Sequence, residues 1–425
     1  MLKTLKQIWK TKELRNSIGF VLLMLVIFRL AAHVPIPGVD TEALREFFSS
    51  NQIFGLINVF SGGAMESFSV VALGVGPYIT ASIIFQLLAM IIPRLEEMQK
   101  EGQSGQERIN QYTRLATVPL AILQSYAMIS ILRQSGQGIV AADVSLFQLA
   151  MMTITMSTGT MFLMWIGELI SERKIGNGIS ILIFAGIIAG MPKMVQQALV
   201  NFDQSQVIVW LAYVVIAIVT IAGVVFITEG QRNIPVVYAK RMRGSRMYGG
   251  SETFLPLRVN MAGVIPIIFA ISIVLLPPMI AQFFIRAKTE WVASAARWTI
   301  ETFQDQLIYG VAYFLLVFGF TYFYTAVVFH PDRVAENLQK QGGYIPGVRP
   351  GRPTAEFITR TLNRIIPAGA IFLSTIAVLP LVMQQALGTQ ALVIGGTSLL
   401  IVVSVAIEIV NQVQSQMTMR EYESL

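Results

Sequence analysis

The sequence predicts an all-α polytopic membrane protein of ten transmembrane helices, and three observations carry that prediction. Charged residues make up 13% of the 425-residue chain, about half of the roughly 25% typical of a soluble domain. Apolar runs of about 20 residues, each long enough to cross a bilayer core, recur along the whole sequence, and mean hydropathy is +0.63. Lysine and arginine crowd into alternate loops, the pattern that sets membrane topology. No stretch outside the spans is long and apolar enough for a separate soluble core, so one membrane unit is expected.

The spans are read at 18–35, 70–92, 115–133, 147–169, 179–199, 207–229, 259–284, 307–329, 365–384 and 393–413. With the N-terminus assigned to the cytoplasm, 24 Lys and Arg fall on the cytoplasmic side, 6 fall on the other, and Arg29 lies inside the first span. That bias orients the chain with both termini in the cytoplasm. It also explains the net charge of +7 without requiring a nucleic-acid partner. The expected organisation is an amphipathic cytoplasmic N-terminal helix at 1–17, an N-terminal half at 18–199 and a C-terminal half at 207–413. Cytoplasmic loops at 230–258 and 330–364 belong to the C-terminal half, and 414–425 is a cytoplasmic tail.

In chain order, MLKTLKQIWKTKELRN places Leu2, Leu5, Ile8 and Trp9 on one helical face and lysines on the other, suited to a membrane surface. This segment is polar and no small-residue cleavage site follows the first apolar run, so no cleavable signal peptide is expected. Arg29 is expected to snorkel to the outer interface, a polar interior being the alternative. The stretch Asn58 to Ile92 then starts Gly-rich, crosses Gly74, Gly76 and Pro77, and becomes an apolar helix. A helix broken at membrane depth frees backbone polar groups, which only protein or a water-filled cavity can accommodate. Such a break points to a translocation path, against the plainer reading of a Pro-kinked span with a Gly-rich entry loop.

After it, PRLEEMQKEGQSGQERINQYTR mixes charges around turns at Gly102 and Gly105, and spans three and four join around Gly136 and Asp143. The fourth span turns at Gly176 and Gly178 into the fifth, where Glu168 and Glu172, near Arg173 and Lys174, are expected to be paired rather than catalytic. In the loop Glu229 to Arg258, the β-rich Ile234–Tyr238 and the turn Gly244-Ser245 predict a basic hairpin. In the loop His330 to Arg364, Pro331, Gly342-Gly343, Pro346-Gly347, Pro350-Gly351 and Pro353 predict a turn-built projection displaying Arg349 and Arg352. Six basic residues on each loop exceed what orientation needs, so a docking surface for an acidic or nucleic-acid partner is expected.

Five spans per half force the second half to be inverted relative to the first. Gly76-Pro77 followed by Ile83-Ile84-Phe85 aligns loosely with Gly263-Val264-Ile265-Pro266 followed by Ile267-Ile268-Phe269. Interrupted helices at matching positions of inverted repeats place a path at the midplane. The chain has no cysteine, which excludes disulfides, iron–sulfur clusters and thiol catalysis, and its two histidines, His33 and His330, are far apart in sequence and build no metal site. Every acidic residue falls at a span end or in a loop except Glu408, which lies toward the cytoplasmic end of span ten. That is unlike an ion-coupled carrier or an intramembrane hydrolase, which hold ionisable groups at depth. No phosphate-binding loop is present, so no catalytic residue and no cofactor is expected and the energy source must be another protein. What remains is an apolar path, able to seal by dewetting and to yield to an extended guest. A small-solute transporter would instead need a polar midplane site.

NVFSGGAMESFSVVALGVGPYITASIIFQLL, TGTMFLMWIGELISERKIGNGISILIFAGI, NMAGVIPIIFA, YIPGVRPG and GGTSLLIVVSVAIE together resemble the SecY family, the central subunit of the bacterial protein-translocation channel. The likeness runs in order from end to end. It implies two inverted five-helix halves around an hourglass pore with a plug helix, passing unfolded secretory polypeptides across the cytoplasmic membrane. It also implies a lateral gate, between spans two/three and seven/eight, that releases membrane segments into lipid. By the resemblance, the pore ring falls on Ile79, Ile83, Ile183, Ile187, Ile268 and Ile401, and the polar gate residues are Gln124 and Asn260. The plug falls on Ser61, Gly62, Gly63, Ala64, Met65, Glu66, Ser67, Phe68 and Ser69, a short helix whose small residues suit an element that moves. Lys240, Arg241, Arg243, Arg246, Arg349 and Arg352 become contacts for the motor ATPase SecA and for the RNA and proteins of the translating ribosome. SecE, SecG, signal sequences, nascent polypeptides and membrane lipid complete the implied partners.

Overall fold

The computed structural model describes residues 11–50, 61, 63–134, 138–140, 144–200, 207–238, 241–243, 246–248, 252–285, 287–387 and 396–423. The expected features at Leu2, Leu5, Ile8, Trp9, Gly62, Gly136, Asp143, Lys240 and Gly244-Ser245 lie outside the described residues. In chain order the helices are α1 (Lys12–Ala31), α2 (Thr41–Ser50), α3 (Gly76–Ile91), α4 (Pro93–Lys100), α5 (Gln103–Gln134), α6 (Leu146–Glu172), α7 (Gly178–Val200) and α8 (Val207–Glu229). Four strands follow: β1 (Gln231–Tyr238), β2 (Arg241–Arg243), β3 (Arg246–Tyr248) and β4 (Glu252–Arg258). The remainder is α9 (Ile265–Phe284), α10 (Glu290–Gln304), α11 (Gln306–Val328), α12 (Pro331–Lys340), β5 (Gly343–Tyr344), α13 (Arg352–Leu387) and α14 (Gly396–Glu423).

Among the described residues, six helices are long and apolar enough to cross a membrane, one bent pair (α3 with α4) makes a seventh, and α7, α8 and α9 carry shorter apolar stretches. These ten segments fall in order on the ten expected spans. Leu22, Leu23, Val26 and Leu30 of α1, and Leu211, Val214, Val215, Ile218 and Val219 of α8, point outward. Continuous outward apolar faces of this kind suit lipid, not water.

The chain forms two compact units. The first comprises Met1–Val207, Leu275–Asp305 and Thr389–Leu425. In it, α3 starts with Pro77 in its first turn, where a preset φ and a missing N–H cost nothing. The following proline drives Ile92 to an extended conformation (φ −96°, ψ 112°), so α3 and α4 meet at 101°. Ser145 and Gln148 cap α6 reciprocally: the Ser145 hydroxyl accepts from the Gln148 amide at 3.3 Å and the Gln148 side chain accepts from the Ser145 amide at 3.0 Å. At the α6–α7 turn a methyl group on Gly178 would overlap the Gly167 carbonyl, and the Ser171 hydroxyl accepts from the Gly178 amide at 2.9 Å. Glu168 is paired, as expected, but its partner is Arg114 of α5 and not Arg173 or Lys174. The helical turn directs Glu168 toward α5, while the Arg173 guanidinium lies over the Phe20 ring of α1 at 4.2 Å.

The second unit comprises Ile208–Val274 and Gln306–Gly388. Here α11 and α13 pack closely: Gly310 admits Val378 and Leu381, and Gln306 donates to the Leu381 carbonyl at 2.9 Å. The expected hairpin is present and longer than its β-rich core, β1 pairing antiparallel with β4 from Gln231↔Arg258 to Val237↔Glu252. Beyond it, β2 and β3 form a second small ribbon, Arg241↔Tyr248 to Arg243↔Arg246. The loop reading, however, misses a connection between the two basic loops. Strand β5 of the second loop pairs with β1 of the first through Val237↔Tyr344 and Tyr238↔Gly343, giving the order β4-β1-β5. Alternation along β1 turns Ile234 and Val236 inward, and they share a buried cluster with Leu257, Leu338, Ile345 and Ile358.

Candidate functional site

Among its described residues, the Gly-rich segment ahead of α3 forms a run of hydrogen-bonded turns and not the short helix expected. The Ser67 amide donates to the Gly63 carbonyl at 3.3 Å, and the Met65 amide donates to the Ser61 hydroxyl at 3.2 Å. Its end is a Schellman closure: the Ser69 amide reaches the Ala64 carbonyl at 3.0 Å and the Phe68 amide reaches the Met65 carbonyl at 2.9 Å. Phe68 occupies the left-handed position, at φ +42°, which usually falls to glycine. Its ring is 1% exposed and packs in the cluster that holds Ile36, Leu44, Met65 and Met128.

The segment is also tied to the exit of α1. Ile36 donates to the Phe68 carbonyl and Val70 donates to the Val34 carbonyl, both at 2.9 Å. The Ser67 hydroxyl adds a bond to the Ala32 carbonyl at 3.1 Å. On the far side a methyl group on Gly159 of α6 would overlap the Val70 carbonyl, so α6 approaches to the limit that glycine allows. Small residues were expected to leave this segment loosely packed. Instead Ser61, Ala64, Met65, Phe68 and Ser69 are all buried, because the backbone ladder and Gly159 let main chain pack on main chain.

Both interrupted spans begin alike. Gly74 (φ +58°) and Gly263 (φ +62°) are left-handed, Pro77 and Pro266 follow three residues later, and Ile79 and Ile268 two residues after those. Both isoleucines are half-buried. Ile79 and Ile83 share one face of α3, and Ile183 and Ile187 share one face of α7, by their i,i+4 spacing. Ile83, Ile183, Ile187 and Ile401 are buried within the first unit. Gln124 of α5 donates to the Thr80 hydroxyl of α3 at 3.5 Å, joining spans two and three. Asn260 donates to the Gly263 carbonyl at 3.2 Å, while its own side-chain oxygen is buried without a partner among the described residues.

The second basic loop is built to hold Arg349 outward. Gly347 (φ +82°) and Gly351 (φ +93°) make its turns, the Val348 amide donates to the Ile345 carbonyl at 3.0 Å, and buried Thr354 donates to the Arg349 carbonyl at 2.9 Å. Arg349 is exposed, and so is Arg352, which lies 3.5 Å from Glu356. Arg241, Arg243 and Arg246 lie on β2 and β3.

A sequence model of the SecY family matches residues 69–410. The chain belongs to the SecY family. The protein translocase subunit SecY of Streptomyces galbus is 43% identical over 442 residues, covering 100% of this chain and 99% of that one. Among solved structures, a protein-conducting channel superposes with a TM-score of 0.65 at 17% identity, over 93% of this chain and 91% of that one. Another, whose plug domain is described as stabilising the closed state of the SecY channel and maintaining a membrane seal, gives 0.63 at 18% identity over the same shares. The fold is therefore that of the SecY channels, an all-α polytopic membrane protein. As a SecY protein the chain is a protein-translocation channel subunit and not an enzyme.

Sequence reasoning missed Val34, Ile36 and Gly159 as the anchors of the 61–69 segment. Only Gly159 leaves a trace, as one of two glycines in an apolar helix; the other two act through backbone groups that any residue carries.

Proposed function

We propose that this SecY protein conducts unfolded secretory polypeptides across the cytoplasmic membrane and releases membrane segments sideways into lipid, with both termini in the cytoplasm. Residues 18–199 and 207–413 are its two functional halves. Ile79, Ile83, Ile183, Ile187, Ile268 and Ile401 form the constriction, and 61–69 is the plug that seals it at rest. Gln124 and Asn260 are polar residues of the lateral gate, where the buried Asn260 side-chain oxygen, unpaired among the described residues, can accept a hydrogen bond. Lys240, Arg241, Arg243, Arg246, Arg349 and Arg352 receive SecA or the ribosome, which supply the driving force, and SecE and SecG complete the complex.

The observation that carries this reading is the shared start of α3 and α9: a left-handed glycine, a proline three residues on, and an isoleucine five residues on. An interruption repeated at one register in two halves is what a path through an inverted repeat needs. Because the chain has no cysteine, single probes carry no background. A stalled secretory chain is expected to crosslink to Ile83→Cys and Ile268→Cys, and not to Leu22→Cys on the outward face of α1. No crosslink at either isoleucine in an actively translocating complex would overturn the assignment.

A further inference from the structure

Helix α10 has three distinct faces. Glu290, Ser294, Arg297 and Glu301 repeat at i, i+4, i+7 and i+11 and are exposed. Ala293 and Ala296 are buried, with half-buried Ile300 and Phe303 on the same side. Between these, on the remaining edge, Trp291 and Trp298 stand seven residues apart and are 73% and 67% exposed. A helix with one packed face and one wet face does not need a third, aromatic one. Indole rings are large, apolar and tipped with a single N–H donor, which suits the boundary between headgroups and acyl chains.

Connectivity places α10 at that boundary. Five residues separate it from the end of α9, and Asp305 alone, in an extended conformation (φ −67°, ψ 117°), separates it from α11. A helix so tightly tethered between two consecutive spans stays at the membrane surface. We propose that α10 lies in the membrane–water interface with Trp291 and Trp298 seated in lipid, its acidic and basic side chains turned to water. Across 285–305, Glu290, Glu301 and Asp305 balance Arg286, Lys288 and Arg297, so the attachment depends on the indoles and not on lipid charge. The assignment is independent of which side of the membrane the loop faces.

The test uses single cysteines in the complete translocase, reconstituted in phosphatidylcholine vesicles and labelled with the environment-sensitive fluorophore NBD. At Trp291→Cys and Trp298→Cys, quenching by spin-labelled phosphatidylcholine is expected to exceed that at Ser294→Cys several-fold, with aqueous iodide giving the reverse order. Ala295→Cys, which keeps both tryptophans and lies on their edge, should match the tryptophan sites and stands in for any variant that fails to accumulate. Iodide quenching at 291, 295 and 298 equal to that at 294 would place the edge in water and overturn the proposal. Protection from both quenchers would place it against protein and overturn it equally. A lipid signal that appears only when anionic lipid is added would overturn the role of the indoles.

Discussion

Phe68 holds a backbone conformation that costs a bulky residue about 1–3 kcal/mol, and its buried ring offsets that cost. Phe68→Ala keeps the strain and removes the packing, a loss of about 3–5 kcal/mol for a buried aromatic. The variant is expected to raise resting ion conductance of the reconstituted channel with no substrate present. Gly159→Ala acts on the same element from the other side, pushing a methyl group against the Val70 carbonyl at a cost of about 1–3 kcal/mol, and is expected to raise the same leak. If both variants stay as tight as the parent channel, residues 61–69 are not its seal. The six isoleucines proposed for the constriction were singled out only through resemblance, since an apolar residue at helical spacing usually serves packing. Gln124 shows no distinguishing local pattern either, and its bond to Thr80 crosses between helices.

At the level of elements, the spans were legible because their signal is local: composition over about 20 residues decides each one. The β1–β4 hairpin was legible for the same reason, through β-branched residues and a turn. The pairing of β5 with β1 was not, since it joins segments from loops separated by two spans and leaves no periodicity in either. The consequence is that the two basic loops stand on one hydrophobic base. Leu257→Ala, in that base, is expected to destabilise the loops by about 2–5 kcal/mol and to reduce SecA-driven transport while leaving the resting leak unchanged. Arg349→Glu should also reduce SecA-driven transport, with no loss of thermal stability because its side chain is exposed. Normal transport by Arg349→Glu would remove that residue from the docking surface.

For the molecule as a whole, low charge content and recurring apolar runs were enough to give the class, because a bilayer imposes them on any chain that crosses it. The equivalence of the two interrupted spans was visible only loosely, as shared Gly, Pro and Ile; the backbone sharpened it by making Gly74, not Gly76, the counterpart of Gly263. Gly74→Ala and Gly263→Ala each force a side chain into the left-handed region, at about 1–2 kcal/mol. Both are expected to lower translocation to a similar extent in a reconstituted assay, and a defect confined to one would argue against equivalent roles. The sheet has a mechanical consequence as well. The β1–β4 ladder runs for seven residue pairs, whereas the β1–β5 seam has two, Val237↔Tyr344 and Tyr238↔Gly343. A tug on the second loop therefore loads those two pairs before the ladder. Along β1, then, the second loop is held by a short seam, and the shared cluster of Leu338 and Ile345 with Ile234, Val236 and Leu257 does the rest of the joining.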